Sequence, residues 1–142
     1  MTVLCKTSLI GVVLVAILAI VVVYGLFHGY FDHGQFEIKQ VQRSSKNQLA
    51  MLVERSDNDA LGGLVYYVLI GNHLFTPAEL RRAYYSNAVV FDASRNCLML
   101  HWDGPDRLTI RCNGSTLDSD HINAQRKQLG EVTISYENIA LK

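Results

Sequence analysis

The sequence predicts an α+β fold, mainly β: an N-terminal transmembrane helix followed by an antiparallel sheet or small sandwich with one short helix. Three observations lead there. Leu9 to Phe27 is a run of 19 residues with no charge and no strongly polar side chain. From Phe36 onward, short apolar or alternating runs are separated by Gly, Pro, Asn and Ser, which is the pattern of strands and turns. Only Thr76-Pro-Ala-Glu79 announces a helix start. The chain therefore divides into a tail (1–8), a span (9–27), a juxtamembrane linker (28–35) and an exterior domain (36–142). At 107 residues, that last part suffices for one small domain and is too short for two.

A helix over Leu9–Phe27 would be roughly 28 Å long at ~1.5 Å per residue, which matches a bilayer hydrocarbon layer of about 30 Å. Its β-branched run does not oppose the helix, because in lipid the backbone must satisfy itself. Tyr24, Phe27, Tyr30 and Phe31 would form an aromatic belt at one interface. A cleaved signal peptide would have a shorter apolar region and a small-residue site, whereas Val23-Tyr24-Gly25 is a poor one. A lipoprotein would need its cysteine after the run, but Cys5 precedes it, and the glutamate of a pilin-like helix is missing. An uncleaved anchor is the expectation. Lys6 lies before the span and Lys39 is the first cation after it, so the positive-inside rule favours a cytoplasmic N-terminus and an exported domain. Arg43 and Lys46 weaken that contrast.

The exterior elements follow in order. His28 to Gln35 is a linker too short to let the domain roam. Phe36 to Gln42 alternates as a half-buried strand, Ser44-Ser-Lys-Asn47 turns, and Leu49 to Glu54 forms the second strand. A polar loop runs from Ser56 to Gly63. Leu64 to Ile70 is apolar or aromatic throughout, as in a central strand covered on both faces. Thr76 as N-cap, Pro77 at the first turn and Glu79 closing a capping box start a helix that runs to about Tyr85. Leu80, Ala83 and Tyr84 share its apolar face, while Arg81, Arg82 and Tyr85 point elsewhere. Val89 to Phe91 is a short strand, and Cys97–Trp102 with Arg107–Cys112 reads as a hairpin. Asn113 to Gly130 resists assignment, and Glu131 to Tyr136 is the final strand. The expectation is about seven strands.

If the hairpin loop is centred on Gly104-Pro105, Trp102 faces Arg107, Leu100 faces Thr109, and Cys97 faces Cys112. Opposed residues lie ~4.5–5.5 Å apart at Cα, a distance a disulfide accepts. Closing that loop would stabilise the domain by about 3 kcal/mol in the chain-entropy model. Two alternatives stay open: an odd-numbered loop that shifts the register and separates the pair, and free thiols in a cytosolic domain.

The anchor, the strand–turn–strand around Ser44-Ser-Lys-Asn47 with Val53-Glu-Arg55, the Gly62-Gly63 pair and a later strand pair together resemble a class of small bacterial envelope proteins of unassigned function. The resemblance covers roughly the first half of the exterior domain. Where that class usually reads Ser-Pro-Asp-Gly-Lys at the first turn, Pro, Asp and Gly are absent here. It implies a bacterial envelope location, and no catalytic residues.

Lys and Arg number 13, as do Asp and Glu, and all but Lys6 follow the span. A near-neutral exterior argues against nucleic acid, which demands a basic surface, and against an acidic disordered tail. No cofactor is predicted. The serines lack a Gly-x-Ser-x-Gly setting, no Cys–His pair has a recognisable one, and Gly62-Gly63 precedes a strand rather than a helix. Asn113-Gly-Ser115 fits a glycosylation acceptor only in a eukaryotic secretory pathway. Asp118, Asp120 and His121, with His101, offer oxygen and imidazole donors for Zn²⁺ or a harder cation if their loop folds onto the hairpin; a solvated loop is the plainer account. His28 and His33, five apart in the linker, offer contacts to lipid headgroups or a metal, against plain interfacial solvation. Arg81, Arg82 and Tyr85 are the candidates for contact with lipid headgroups or a membrane-protein partner, against an ordinary solvated helix face. Trp102 is expected to pack at the turn. The sequence thus points to a single-pass membrane protein at the bacterial inner membrane, its C-terminal domain extracytoplasmic and acting in binding or assembly. A metal-dependent enzyme or a small-ligand or lipid-binding domain is the alternative.

Overall fold

The computed structural model describes residues 2–27, 32–57 and 62–142. It is α+β and mainly β, with one N-terminal apolar helix, two sheets and one further short α-helix. Two compact units result, Met1–Asp32 and His33–Lys142. Half of the predicted linker (28–31, with Tyr30 and Phe31 of the aromatic belt) and part of the polar loop (58–61) lie outside the described residues.

The first unit is α1, Thr2–Phe27. It starts seven residues ahead of Leu9, because nothing between Thr2 and Ser8 breaks a helix: neither Pro nor Gly occurs there. Ile10–Phe27 is long and apolar enough to cross a membrane. Its apolar side chains are exposed on every side, Leu18 and Leu26 as much as Val15 and Val21. A helix that is apolar all round belongs in a protein core or in lipid, and here only 6% of the span is buried.

Among the described residues the second unit has nine strands. β1 (Gln35–Arg43), β2 (Leu49–Ser56), β3 (Leu64–Gly71), β4 (Val89–Ala93) and β7 (Ile122–Gln125) form one antiparallel sheet in the order β1-β2-β3-β4-β7. β5 (Leu98–Trp102), β6 (Arg107–Cys112), β8 (Gln128–Leu129) and β9 (Val132–Glu137) form the other, in the order β5-β6-β9-β8. Helix α2 (Pro77–Tyr84) connects β3 to β4. The sandwich core takes Ala50, Leu52, Tyr66, Val68 and Phe91 from the first sheet and Leu100, Leu108, Ile110, Val132 and Ile134 from the second. The opposite face of the first sheet, Met51, Val53, Tyr67 and Leu69, is covered by Leu80 and Ala83 of α2. β2 and β3 are therefore sandwiched between two apolar layers, which is why Leu64–Ile70 carries no polar alternation.

Three expectations need correction. The predicted seven strands are nine: β7 and β8 occupy the stretch that resisted assignment, since β7 has a single buried residue, Ile122, and β8 is two residues long. The sheets are not purely antiparallel, because β9 enters beside β6 in parallel, with Leu108 opposite Ile134 and Ile110 opposite Tyr136. The hairpin register is also shifted by one: Trp102 faces Leu108, Leu100 faces Ile110, and Leu98 faces Cys112. The loop thus has an odd number of residues, yet the cysteines are not separated. Cys97 lies just beyond the last ladder pair, where its carbonyl accepts from Asn113 N–H at 2.7 Å, and it bonds diagonally to Cys112 with the Cα atoms 4.7 Å apart.

Two turns show why particular residues sit where they do. The β1–β2 turn has Asn47 in the left-handed region (φ 61°), held by its N–H to the Ser44 carbonyl at 3.1 Å; a short polar side chain tolerates that conformation. Gly130 (φ 57°) opens the two-residue turn between β8 and β9, a position where a Cβ would be strained.

Candidate functional site

Capping sets the position of α2. Thr76 accepts the Glu79 N–H through its hydroxyl, and the Glu79 carboxylate accepts the Thr76 N–H at 2.8 Å. The Thr76 backbone, then its hydroxyl, then His73 hold the Glu79 carboxyl down at about 2. With its start fixed, α2 lays Leu80 and Ala83 on the sheet and brings Arg81 and Tyr84 over the first residues of β1.

There an aromatic cluster forms. Phe36 lies 6.1 Å from Tyr84 and 6.4 Å from Tyr67, Tyr67 lies 5.0 Å from Tyr84, and Tyr85 stacks edge-on to Tyr84 at 5.1 Å. The Tyr67 hydroxyl donates to the Leu80 carbonyl at 3.4 Å, tying sheet to helix. Two guanidinium groups flank Phe36, Arg55 at 5.9 Å and Arg81 at 5.8 Å from its centroid, where a cation is attracted to the ring face. Arg55 is also neutralised by Asp57 at 2.7 Å. Arg81 differs: its Nε is buried and has no hydrogen-bond partner among the described residues. A groove of about 520 Å³ opens beside it, lined by His33, Gln35, Phe36, Ser56, Pro77 and Arg81. Glu37 also reaches the groove wall but is bound by Lys39 at 2.7 Å. Hydrogen bonds from Glu37 and then Glu54 keep Lys39 protonated above its usual range. The groove thus presents a half-buried guanidinium, an imidazole and an aromatic wall.

The predicted contact residues part company here. Arg81 does not point away from the packed face but is half-buried against Phe36, while Arg82 is exposed and Tyr85 is exposed with its ring on Tyr84. The signal lay in the spacing: Arg81 precedes Tyr84 by three residues, so the two share a flank of the helix. His33 lines this groove, while His28 lies outside the described residues. Arg55 was not singled out by the sequence, because alternation reveals that it faces the helix side but not that rings await it there.

The proposed metal ligands are not assembled. Asp118 precedes the short 3₁₀ turn at Ser119–His121 that contains Asp120 and His121, and His121 Nδ1 lies 3.2 Å from Ser94 Oγ. His101 belongs to the hairpin, with Nε2 3.5 Å from Asp103 Oδ1. Among the described residues, no group of three or more His, Cys, Asp and Glu side chains is placed to hold a metal ion. A second groove of about 440 Å³ lies along the hairpin, with Gln40, Met99, His101, Asp103 and Arg111 on its walls. Asp103 there accepts a short hydrogen bond from Thr109. Trp102 is half-buried at the turn, its indole N–H donating to the Gln42 carbonyl at 3.1 Å.

Against known proteins, no family model matches this chain, and neither a curated protein nor a solved structure matches it.

Proposed function

We propose that this chain is a single-pass membrane protein of the bacterial envelope whose exterior domain is a binding or assembly module. One observation carries the reading: residues 33–37 line a groove with Arg81, a half-buried residue whose buried Nε has no hydrogen-bond partner among the described residues. Buried polar groups are normally satisfied, so an orphaned guanidinium N–H beside an open groove is the mark of a binding surface. The aromatic residues around it suit the same role, since Tyr and Arg are enriched where proteins meet partners. Gln35 follows Phe27 by eight residues, which at full extension is no more than ~28 Å. That tether favours partners in or on the same membrane. The Cys97–Cys112 bond supports an extracytoplasmic domain at the inner membrane, because disulfides persist in oxidising compartments.

Crosslinking in intact membranes, with the anchor retained, tests the module. A discrete crosslinked product that disappears in Arg81→Gln is the expected result, and its absence from wild-type membranes counts against the reading. A C-terminal reporter active only outside the cytoplasm tests orientation: a silent reporter reverses it.

A further inference from the structure

We infer that the Arg81 groove binds the phosphate of an anionic lipid headgroup. The inference rests on the membrane-anchored reading above and names the ligand of the same site. Among the described residues the neighbouring cations are already engaged, Arg55 by Asp57 at 2.7 Å and Lys39 by Glu37 at 2.7 Å and Glu54 at 3.2 Å. Arg81 has its guanidinium carbon 5.8 Å from the Phe36 centroid, and its buried Nε has no hydrogen-bond partner among the described residues. A guanidinium presents a planar fork of donors, which matches the oxygens of a phosphate and gives two parallel hydrogen bonds. His33 and Ser56 on the groove wall add donors for the remaining oxygens. The groove, at about 520 Å³, has room for a phosphate and the glycerol that bears it. Free phosphate shares this chemistry, but the short tether to α1 makes membrane phosphates the ligand present at high effective concentration.

The test uses the full-length chain in nanodiscs of phosphatidylcholine alone or of equal phosphatidylcholine and phosphatidylglycerol, read by amide hydrogen exchange. Residues 33–37 and 77–82 should exchange about fivefold more slowly in the anionic discs, the factor one basic residue near an anionic surface is worth. High salt should erase that difference. Arg81→Gln should abolish it, and Arg82→Gln should leave it. Equal exchange in the two disc types, or protection surviving Arg81→Gln, overturns the inference. Inorganic phosphate reproducing the protection in neutral discs assigns the groove to free phosphate and overturns the lipid source. Should Arg81→Gln fail to fold by Trp102 fluorescence, the lipid comparison on the unaltered chain remains: salt-sensitive protection supports the inference, and salt-insensitive protection overturns it. A chain that stays outside the discs refutes the anchor instead, so the two failures are distinct.

Discussion

Both edge strands of the five-stranded sheet carry a glutamine that stands in for a peptide group. On β1, the Gln40 carboxamide donates to the Leu100 carbonyl at 3.2 Å and accepts the Leu100 N–H at 3.0 Å. On β7, Gln125 donates to the Ala140 carbonyl at 3.1 Å and accepts the Lys142 N–H at 2.7 Å. β5 is an edge strand of the second sheet, so Gln40 satisfies outward-facing backbone groups that would otherwise template foreign strands. Gln40→Ala should destabilise the domain by about 1–3 kcal/mol, the cost of leaving buried polar groups unmade. A urea midpoint unchanged from wild type would refute this role. Neither glutamine was legible as a structural residue. Strict alternation puts Gln40 in one series with Phe36 and Ile38, and the bulge between Ile38 and Gln40 that turns it towards the second sheet leaves no mark in the pattern. The same blindness hid Arg81, whose charge suggested solvent while a phenyl ring took its place.

At the scale of elements, legibility followed the strength of local signals. The α2 cap was readable because Thr76, Pro77 and Glu79 each serve a terminus regardless of tertiary context, and β3 because burial on both faces leaves no room for polar residues. β7 and β8 were not, since short polar edge strands owe their existence to the ladders they join. The cap makes a testable pH prediction. A carboxyl held at about 2 when folded, against 4.5 unperturbed, contributes stability that is present above pH 4.5 and lost as pH falls towards 2. The stability gap between wild type and Glu79→Gln, measured by urea titration, should therefore narrow across that window, and a constant gap would show that the cap is not titrating. The hairpin makes another. Its odd-numbered loop moves the ladder register by one from the expected pairing, but a diagonal bond tolerates that slip because Cys97 lies beyond the ladder's end. Replacing both Cys97 and Cys112 by Ser should cost about 3 kcal/mol for a 15-residue separation. Chemical denaturation of the double variant measures it, and a loss well below 1 kcal/mol would assign the bond no stabilising role.

The whole β-rich unit is interlaced. The chain builds β1 to β4 in the first sheet and β5 and β6 in the second, returns to the first for β7, and finishes in the second with β8 and β9. Neither sheet is complete without the last third of the chain, and both share one core. Unfolding should accordingly be all-or-none. Trp102 fluorescence at the sheet junction and far-ultraviolet dichroism should give coincident urea transitions, and separated midpoints would show that the sheets melt independently. Tyr136 joins the two layers at depth: its hydroxyl donates to the Arg126 carbonyl, and burial pushes its titration up to about 12. This architecture was only half legible. A β-rich unit could be read from the runs of apolar residues, but the parallel insertion of β9 could not, because pairing between Arg107–Arg111 and Thr133–Glu137 leaves no local trace. That insertion also orders assembly. β9 sits between β6 and β8, so the inner edge of β6 has no neighbour until the final residues arrive. In a chain that emerges from its N-terminal end, the cysteine hairpin is complete before β9 exists to pair with it, so an open ladder waits on the residues that follow. Until β9 docks, the edge of β6 is the surface on which a foreign strand could add.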